Sequence, residues 1–531
     1  MKTLVSRRTF FHLAGAAGLI ASPALIGCAE RLAVPALKRD PFSLGVAAGE
    51  PSADGFVLWT RLAPDPLSQD PATPGGMTGG PVQVAYEIAT DPQMRQIARK
   101  GTATAEPGFA WSVHAEIAGL QPGRPYWYRF LLGDAASRVG RVATTPAAGA
   151  ALDRLKFGFV SCANYELGYF SAYRHLADEN PDLVVFLGDY IYEDAKQRRG
   201  AIREHSDGAT ASTLSGYRNR YAQYRLDPDL QRLHAEVPAL MTWDDHEVQN
   251  DYAGQWSQSF DEPAKFLERR AAAYRAYYEH MPLRPSRALP QGPNLRLHER
   301  FRFGDLAEFS VLDGRQYRSK EACYSRPNKG GGHIETADSC ADLQDPTRSV
   351  LGPQQEAWLY DGFSRATARW NVIAQDQLVA ELKERQKDGT IGYWTEDWNG
   401  YPPSRKRLLT EIRDRKLANP VVIGGDIHSF WTNDLKVDFD DPKSPIVATE
   451  FVCTSITSHG PPHDTFAAWL PDNPHVKFFE SRKRGYSLVD LTRNRMTTHY
   501  RAVSEVTDPQ ATVSTLKSFV VESGKPGAQS A

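Results

Sequence analysis

At 531 residues the chain is too long for one ordinary domain, and two or three are expected. Hydrophobic residues at 41% and charged residues at 24% are the proportions of a soluble globular protein. Formal net charge is -2 and no basic run interleaves with aromatics, which argues against nucleic acid or an anionic membrane surface as the partner.

Residues 1–36 read as an address. Ser6-Arg7-Arg8-Thr9-Phe10-Phe11 precedes a weakly apolar stretch rich in Ala and Gly. The paired arginines followed by Phe point to the twin-arginine export machinery and a periplasmic or extracellular destination. His12, several glycines and Pro23 speak against a permanent transmembrane helix. Leu25-Ile26-Gly27-Cys28 also resembles a lipoprotein cleavage box, so two outcomes stand: Cys28 lipidated as an anchor, or cut away.

Residues 37–146 carry short alternating runs separated by Gly and Pro clusters, the pattern of a β-sandwich. The segment Leu120-Gln121-Pro122-Gly123-Arg124-Pro125-Tyr126-Trp127-Tyr128 looks like the tyrosine corner of immunoglobulin-like and fibronectin type III domains. Residues 146–153 read as a linker.

Over 152–513 strand-like runs alternate with helical patterns at 170–178, 217–236, 262–280, 354–369 and 404–417, which implies an α/β layer architecture. Cys323 and Cys340 bracket an aperiodic Gly-rich loop; a disulfide is plausible in an oxidising compartment, and two free thiols are the alternative. Cys453, in a strand-like run, reads as a small buried hydrophobe. Residues 514–531 lose periodicity and read as a loose tail.

Chemistry concentrates where strands end. The run 183–187 stops at Gly188-Asp189-Tyr190-Ile191-Tyr192. Five further runs exit into Ser161-Cys162-Ala163-Asn164, Asp244-Asp245-His246-Glu247, Asp313-Gly314-Arg315, Gln375-Asp376 and Asp426-Ile427-His428. Ligands in α/β folds sit beyond the carboxyl ends of strands, and turn chemistry alone does not produce such a series. A carboxylate can bridge two cations, and a phenolate donor suits Fe³⁺ better than Zn²⁺ or Mg²⁺.

These motifs resemble the PhoD-like alkaline phosphatases, a branch of the calcineurin-like metallophosphoesterases. The most specific pieces are Gly188-Asp189-Tyr190-Ile191-Tyr192-Glu193, Trp243-Asp244-Asp245-His246-Glu247 and Gly425-Asp426-Ile427-His428, in that order along one α/β region. The resemblance implies a metallophosphoesterase-type αββα sandwich preceded by an immunoglobulin/fibronectin III-like β-sandwich. It implies hydrolysis of phosphate esters by attack of a metal-bound hydroxide on phosphorus.

Residue by residue, it implies Fe³⁺ on Cys162, Asp189, Tyr192 and His428, and Ca²⁺ on oxygen donors, with Asp189 as bridge and Asn250 and Asp426 as candidates. Asp245 falls at a metal-binding position of the wider superfamily, His246 at its leaving-group acid, and Glu247 would orient that acid or bind metal indirectly. Arg315 would clamp a phosphate oxygen with its planar fork. The wider superfamily's Asp-x-His is here Ser161-Cys162-Ala163-Asn164, and the first His of its Gly-His-x-His is Asp426. Both departures argue against a di-zinc site and favour the iron–calcium pair.

Two other readings are compatible with the residues. One is a phosphodiesterase or phospholipase D-like hydrolase of phospholipids or cell-wall polymers. The other, from a different class, is an exported calcium-dependent adhesion module.

Overall fold

The computed structural model describes residues 39–195, 200–328 and 330–531; the expected signal region and Cys28 lie outside them. Among the described residues, two mixed sheets stack face to face. The first has ten strands. Arg154–Val160, Leu183–Leu187 and Ala239–Thr242 run parallel at its centre, and Gly485–Thr492 is antiparallel beside Arg154–Val160. The second has seven, with Ala307–Val311, Trp370–Ala374, Pro420–Gly424 and Ile446–Val452 in parallel succession.

The period-2 geometry of a strand explains why these runs are apolar throughout. Leu183, Val185 and Leu187 face the second sheet in a shared core with Phe309, Val372 and Val421. Val184 and Phe186 face the other way, onto the helices Ser171–Asp178, Leu214–Arg225, Pro228–Glu236 and Pro263–His280. On the far side Ile373 and Val422 pack against Gly352–Arg365 and Pro402–Asp414. The layers are therefore helix, sheet, sheet, helix. The Phe157 and Phe309 rings meet edge to face at 5.1 Å across the two sheets.

The sandwich near the N-terminus is present, but it is not set apart from the rest. Its five-stranded sheet, centred on Val82–Ala89 and Pro125–Leu132, packs against Val46–Gly49, Phe56–Arg61 and Ser112–Ile117. Those three strands continue the ten-stranded sheet through the parallel pairing of Gly49 with Ala239. The Tyr126 hydroxyl lies 3.1 Å from Gln121 N and 3.3 Å from Gln121 O, five residues upstream, as a tyrosine corner requires.

Two expectations are corrected. The helical pattern over 217–236 is two helices, because Pro228 cannot continue the first. Asp227 instead caps the second, accepting from Asp229 N and Leu230 N. The expected loose tail is a β-hairpin, Val513–Glu522 paired with Lys525–Ser530, turning at Gly524 with φ 81°. Its Gly, Ser and Lys residues resemble coil, yet alternate positions Phe519, Val521 and Ala528 enter the core between the sheets.

His114 ties the sandwich to the long helix. Its Nε2 lies 2.9 and 3.0 Å from the Tyr278 and Met281 carbonyls, and its ring stacks on Tyr278 at 4.3 Å. Burial pushes the imidazole down to about 4, and pushes His475 likewise to about 4. A histidine held neutral in the fold takes its proton first in the unfolded chain, so it favours the folded state fully above the ordinary value of 6.5. That contribution is lost as pH falls from 6.5 toward about 4. We expect the urea midpoint to decline across this window, and His114→Gln to flatten the decline measurably.

Candidate active site

All six expected strand exits are found, and they converge at one end of the two stacked sheets. Trp243 Nε1 donates to Asp313 Oδ1 at 2.8 Å and Thr242 Oγ1 to Leu312 O at 2.6 Å, stitching the two sheets where their strands stop. Beyond that seam the backbone bends sharply. Cys162, Asp189, Asp251, Asp426 and His428 all have φ between 51° and 63°, the left-handed region that non-glycine residues avoid. Such strain costs on the order of 1 kcal/mol or more per residue and persists only where the surroundings enforce it. Gly188, at φ 103°, permits the closest approach: a Cβ there would fall 2.4 Å from Asp244 Cβ.

Glu247 is one of the enforcing groups. It does not orient the His246 ring, whose Nδ1 lies against Glu193 instead. Its carboxylate accepts from the amides of Asp189 (3.0 Å), Tyr190 (2.6 Å) and Asp244 (2.8 Å), clamping two strand exits together. Burial lifts this carboxyl to about 7 against the pull of those amides.

Four of the expected ligands meet. Ligand atoms of Cys162, Asp189 and His428 lie within 4.8 Å of one another. The Tyr192 hydroxyl is 2.8 Å from Asp189 Oδ2 and 3.1 Å from His428 Nε2. His428 Nδ1 lies 2.8 Å from the His459 carbonyl, which can only accept. The ring proton is therefore on Nδ1, and the Nε2 lone pair faces the phenol.

A second group, Asp189, Asp245 and His246, shares Asp189 with the first; a third, Asp245, Asp251 and Glu396, shares Asp245 with the second. The two shared carboxylates make a continuous string of donors. Asp426 is half-buried and electrostatically coupled to Glu396, Arg315, Asp245 and Asp189. Asn250 is half-buried, and its amide N–H donates to Glu193 Oε1 at 2.9 Å.

Glu193, Asp251 and Glu396 were not named as site residues from the sequence. Glu193 ends the quoted Gly-Asp-Tyr-Ile-Tyr-Glu motif, four residues after Asp189, and that spacing was a usable signal. Asp251 follows Asn250 directly. Glu396 comes from a loop after the strand Ile391–Trp394, and no strand-end pattern marks it. Glu193 fills the role expected of Glu247: its Oε2 lies 2.6 Å from His246 Nδ1. Burial opposes the imidazolium, yet Glu193, Asp245 and Asp189 hold the His246 pKa well above the ordinary value.

Arg315, expected as a phosphate clamp, is drawn among the protein's own carboxylates. Its side chain is 0% exposed and lies in a box of carboxylates, with Nε 2.5 Å from Asp244 Oδ1, an ion pair to Glu396, and Asp376 at 3.5 Å. Nε and Nη1 donate to Asp244 and Glu396, while Nη2 sits beside Asp244 and 3.9 Å from Asp245 Oδ2, buried without a hydrogen-bond partner.

Carboxylates outnumber cationic groups throughout this region. Burial first, then neighbouring acids, push Asp189, Asp244 and Asp426 well above the usual carboxylate range, and push the Cys162 thiol up likewise. Burial, Glu396 and Asp245 raise Asp251 to about 7. Asp245 runs the other way: burial opposes its charge, but Arg315, His246 and the Asp251 amide hold it low. Asp245 Oδ1 and both oxygens of Asp376 are buried with no hydrogen-bond partner. Such a concentration of buried anionic oxygen is the signature of a site completed by cations. The donor types fit that conclusion, with thiol, phenol and imidazole on one side and carboxylates on the other.

The comparisons with known proteins agree with this geometry. Residues 157–500 match the family PhoD-like phosphatase, and residues 27–146 match PhoD-like phosphatase, N-terminal domain. The chain is 44% identical over 509 residues to alkaline phosphatase D of Bacillus subtilis (strain 168), covering 94% of this chain and 84% of that protein. A solved structure described as the structure of PhoD superposes with a TM-score of 0.87 at 43% identity, covering 93% of each chain. The chain belongs to the PhoD-like phosphatase family. It is a phosphoric ester hydrolase with the fold of PhoD.

Removing one member of a buried charge network leaves its partners uncompensated, at a cost of about 3–5 kcal/mol. Arg315→Met should therefore lower the unfolding free energy from urea titration by that order, rather than raise KM at unchanged stability. Glu193→Gln, which breaks the buried pair with His246, should lower stability as well and reduce kcat about 10- to 100-fold, the usual cost of losing a group that orients a reacting histidine.

Proposed function

We propose that this chain is an exported alkaline phosphatase whose site takes Fe³⁺ on Cys162, Asp189, Tyr192 and His428 and Ca²⁺ among the carboxylates. Asp189, common to both groups of donors, would serve as the shared ligand. Asp245, Asn250 and Asp426 contribute oxygen donors, with Asp251 and Glu396 completing the carboxylate end. The observation that carries this reading is the meeting of a thiol, a phenol, an imidazole and a carboxylate around one point, at the head of a string of buried acids.

Bound there, the cations would acidify a water and offset charge on the phosphoryl oxygens. The rest falls to the chain's own residues. Glu193 fixes the His246 ring through Nδ1, leaving Nε2 to carry a proton to the departing alkoxide. Arg315, held by Asp244 and Glu396, keeps the wall of the site rigid. Phosphate esters are the substrates, and the family assignment does not favour an adhesion role.

Export rests on Arg7-Arg8 and its following Phe, and on the Cys323–Cys340 disulfide, which suits an oxidising compartment. Anchoring at Cys28 rests on the cleavage-box resemblance alone. Among the described residues no helix is long and apolar enough to cross a membrane.

An iron(III)–phenolate absorbs visible light by charge transfer. We expect the natively produced protein to contain iron and calcium by elemental analysis and to be coloured. Tyr192→Phe should remove the colour and lower hydrolysis of a phosphomonoester at least about tenfold. Active enzyme without iron would defeat the assignment. Monoester, diester and phospholipid substrates assayed in parallel would place the chain among ester classes.

A further inference from the structure

Apart from the His459 carbonyl, the segment 455–460 has no part in the roles assigned above, yet it touches two of the four proposed iron ligands. The Ser458 hydroxyl lies 2.7 Å from the Tyr192 hydroxyl and 3.1 Å from the Cys162 carbonyl. The next residue supplies the carbonyl that fixes His428 Nδ1 at 2.8 Å. Consecutive residues of one turn thus hold the phenol and the imidazole.

This turn is locked from beneath. Ser161 and Ser455 form a parallel bridge, Ile456 N donates to Ser161 O at 3.0 Å, and Thr457 Oγ1 donates to Asn164 O at 2.6 Å. The nearly buried Arg484 places Nη1 2.7 Å from His428 O, 2.8 Å from Ser455 Oγ and 2.8 Å from Ser458 O. A Cβ on Gly460 would fall 2.2 Å from Ser481 O, so the backbone passes where no side chain fits. Ser458 is 0% exposed and cannot turn its hydroxyl to water.

A serine hydroxyl has one proton to donate. While Tyr192 keeps its own proton, that proton can go to Asp189 Oδ2 at 2.8 Å. Once the phenol ionises, its oxygen only accepts. The serine proton then prefers the shorter, charge-assisted contact over the Cys162 carbonyl.

We propose that Ser458 is the positioning residue of the Tyr192 phenolate: its hydroxyl aims the ring and, by donating to the oxygen, weakens the phenolate as an electron donor. The inference rests on Tyr192 being an iron ligand, as proposed above. A hydrogen bond to phenolate lowers its lone pairs and raises the energy of charge transfer to the metal. Loss of the hydroxyl does the reverse, moving the visible band to longer wavelength and leaving the cation a poorer Lewis acid.

The test uses the full-length, metal-loaded protein with iron content measured on every sample. Ser458→Ala at wild-type iron content should show the visible band at longer wavelength and kcat reduced about tenfold with KM unchanged. Ser458→Thr, which keeps the hydroxyl, should return the band to its wild-type position and recover the lost kcat. An iron-loaded Ser458→Ala band at the wild-type wavelength overturns the proposal while leaving the iron assignment intact. Should the alanine variant not accumulate, Ser458→Cys, a weaker donor, decides: a shifted band supports the proposal and an unshifted one overturns it. An iron-loaded wild type without colour means that Tyr192 is not an iron ligand, and then both readings fall.

Discussion

Buried negative charge is the constraint on which the rest of this structure depends. Parallel strands from two stacked sheets end at one edge, and nearly every exit delivers an acid there. Taking so many carboxylates out of water is unfavourable unless each finds a hydrogen bond, a guanidinium or a cation. Arg315 answers for Asp244 and Glu396, and Glu247 is answered by three backbone amides. Asp245 Oδ1 and both Asp376 oxygens are still buried without a hydrogen bond, although Arg315 and Arg318 lie 3.5 and 3.6 Å from Asp376 Oδ2. The fold is thus organised around an electrostatic deficit that the polypeptide does not itself complete.

The same constraint explains the strained backbone. Left-handed conformations at Cys162, Asp189, Asp426 and His428 turn each side chain inward at once, rather than letting the strand run on past the site. The strain is held by hydrogen bonds that link one exit to another: Cys162 N to Gly188 O, Ala163 N to Asp189 O, and Gly425 N to Asp376 O. No exit is positioned alone. A change at Glu247 or Arg315 therefore reaches several donors at once.

Much of this was legible in the sequence, for a physical reason. A strand buried on both faces is a continuous apolar run, so its end shows plainly, and a polar cluster at that end is conspicuous. That is how the clusters holding Cys162, Asp189, Asp245, His246, Asp426 and His428 stood out, while the role of each came from the family resemblance. What stayed hidden depends on distance in space. The Arg315 motif looked the same whether its fork met phosphate or Asp244. The exchange of roles between Glu193 and Glu247 follows from which carboxylate faces His246, and sequence order favoured the wrong neighbour. Glu396 lies on a loop with no periodic signal. The hairpin at 513–530 was obscured by Lys and Ser on its outward face, which mask the alternation of Phe519 and Val521.

That hairpin bears on how the molecule is made. Its last strand reaches both sheets, because Phe519 pairs with Ser530 while Gly527 N donates to Thr449 Oγ1 and Ala528 N to Asp434 Oδ1. The space between the sheets is closed by residues that leave the ribosome only after everything else they cover. Until then Arg495–Val503 is an open sheet edge, and Tyr500 lacks the Phe519 ring that lies 6.1 Å from it in the finished fold. The core is whole only once this hairpin has joined the strands that precede it.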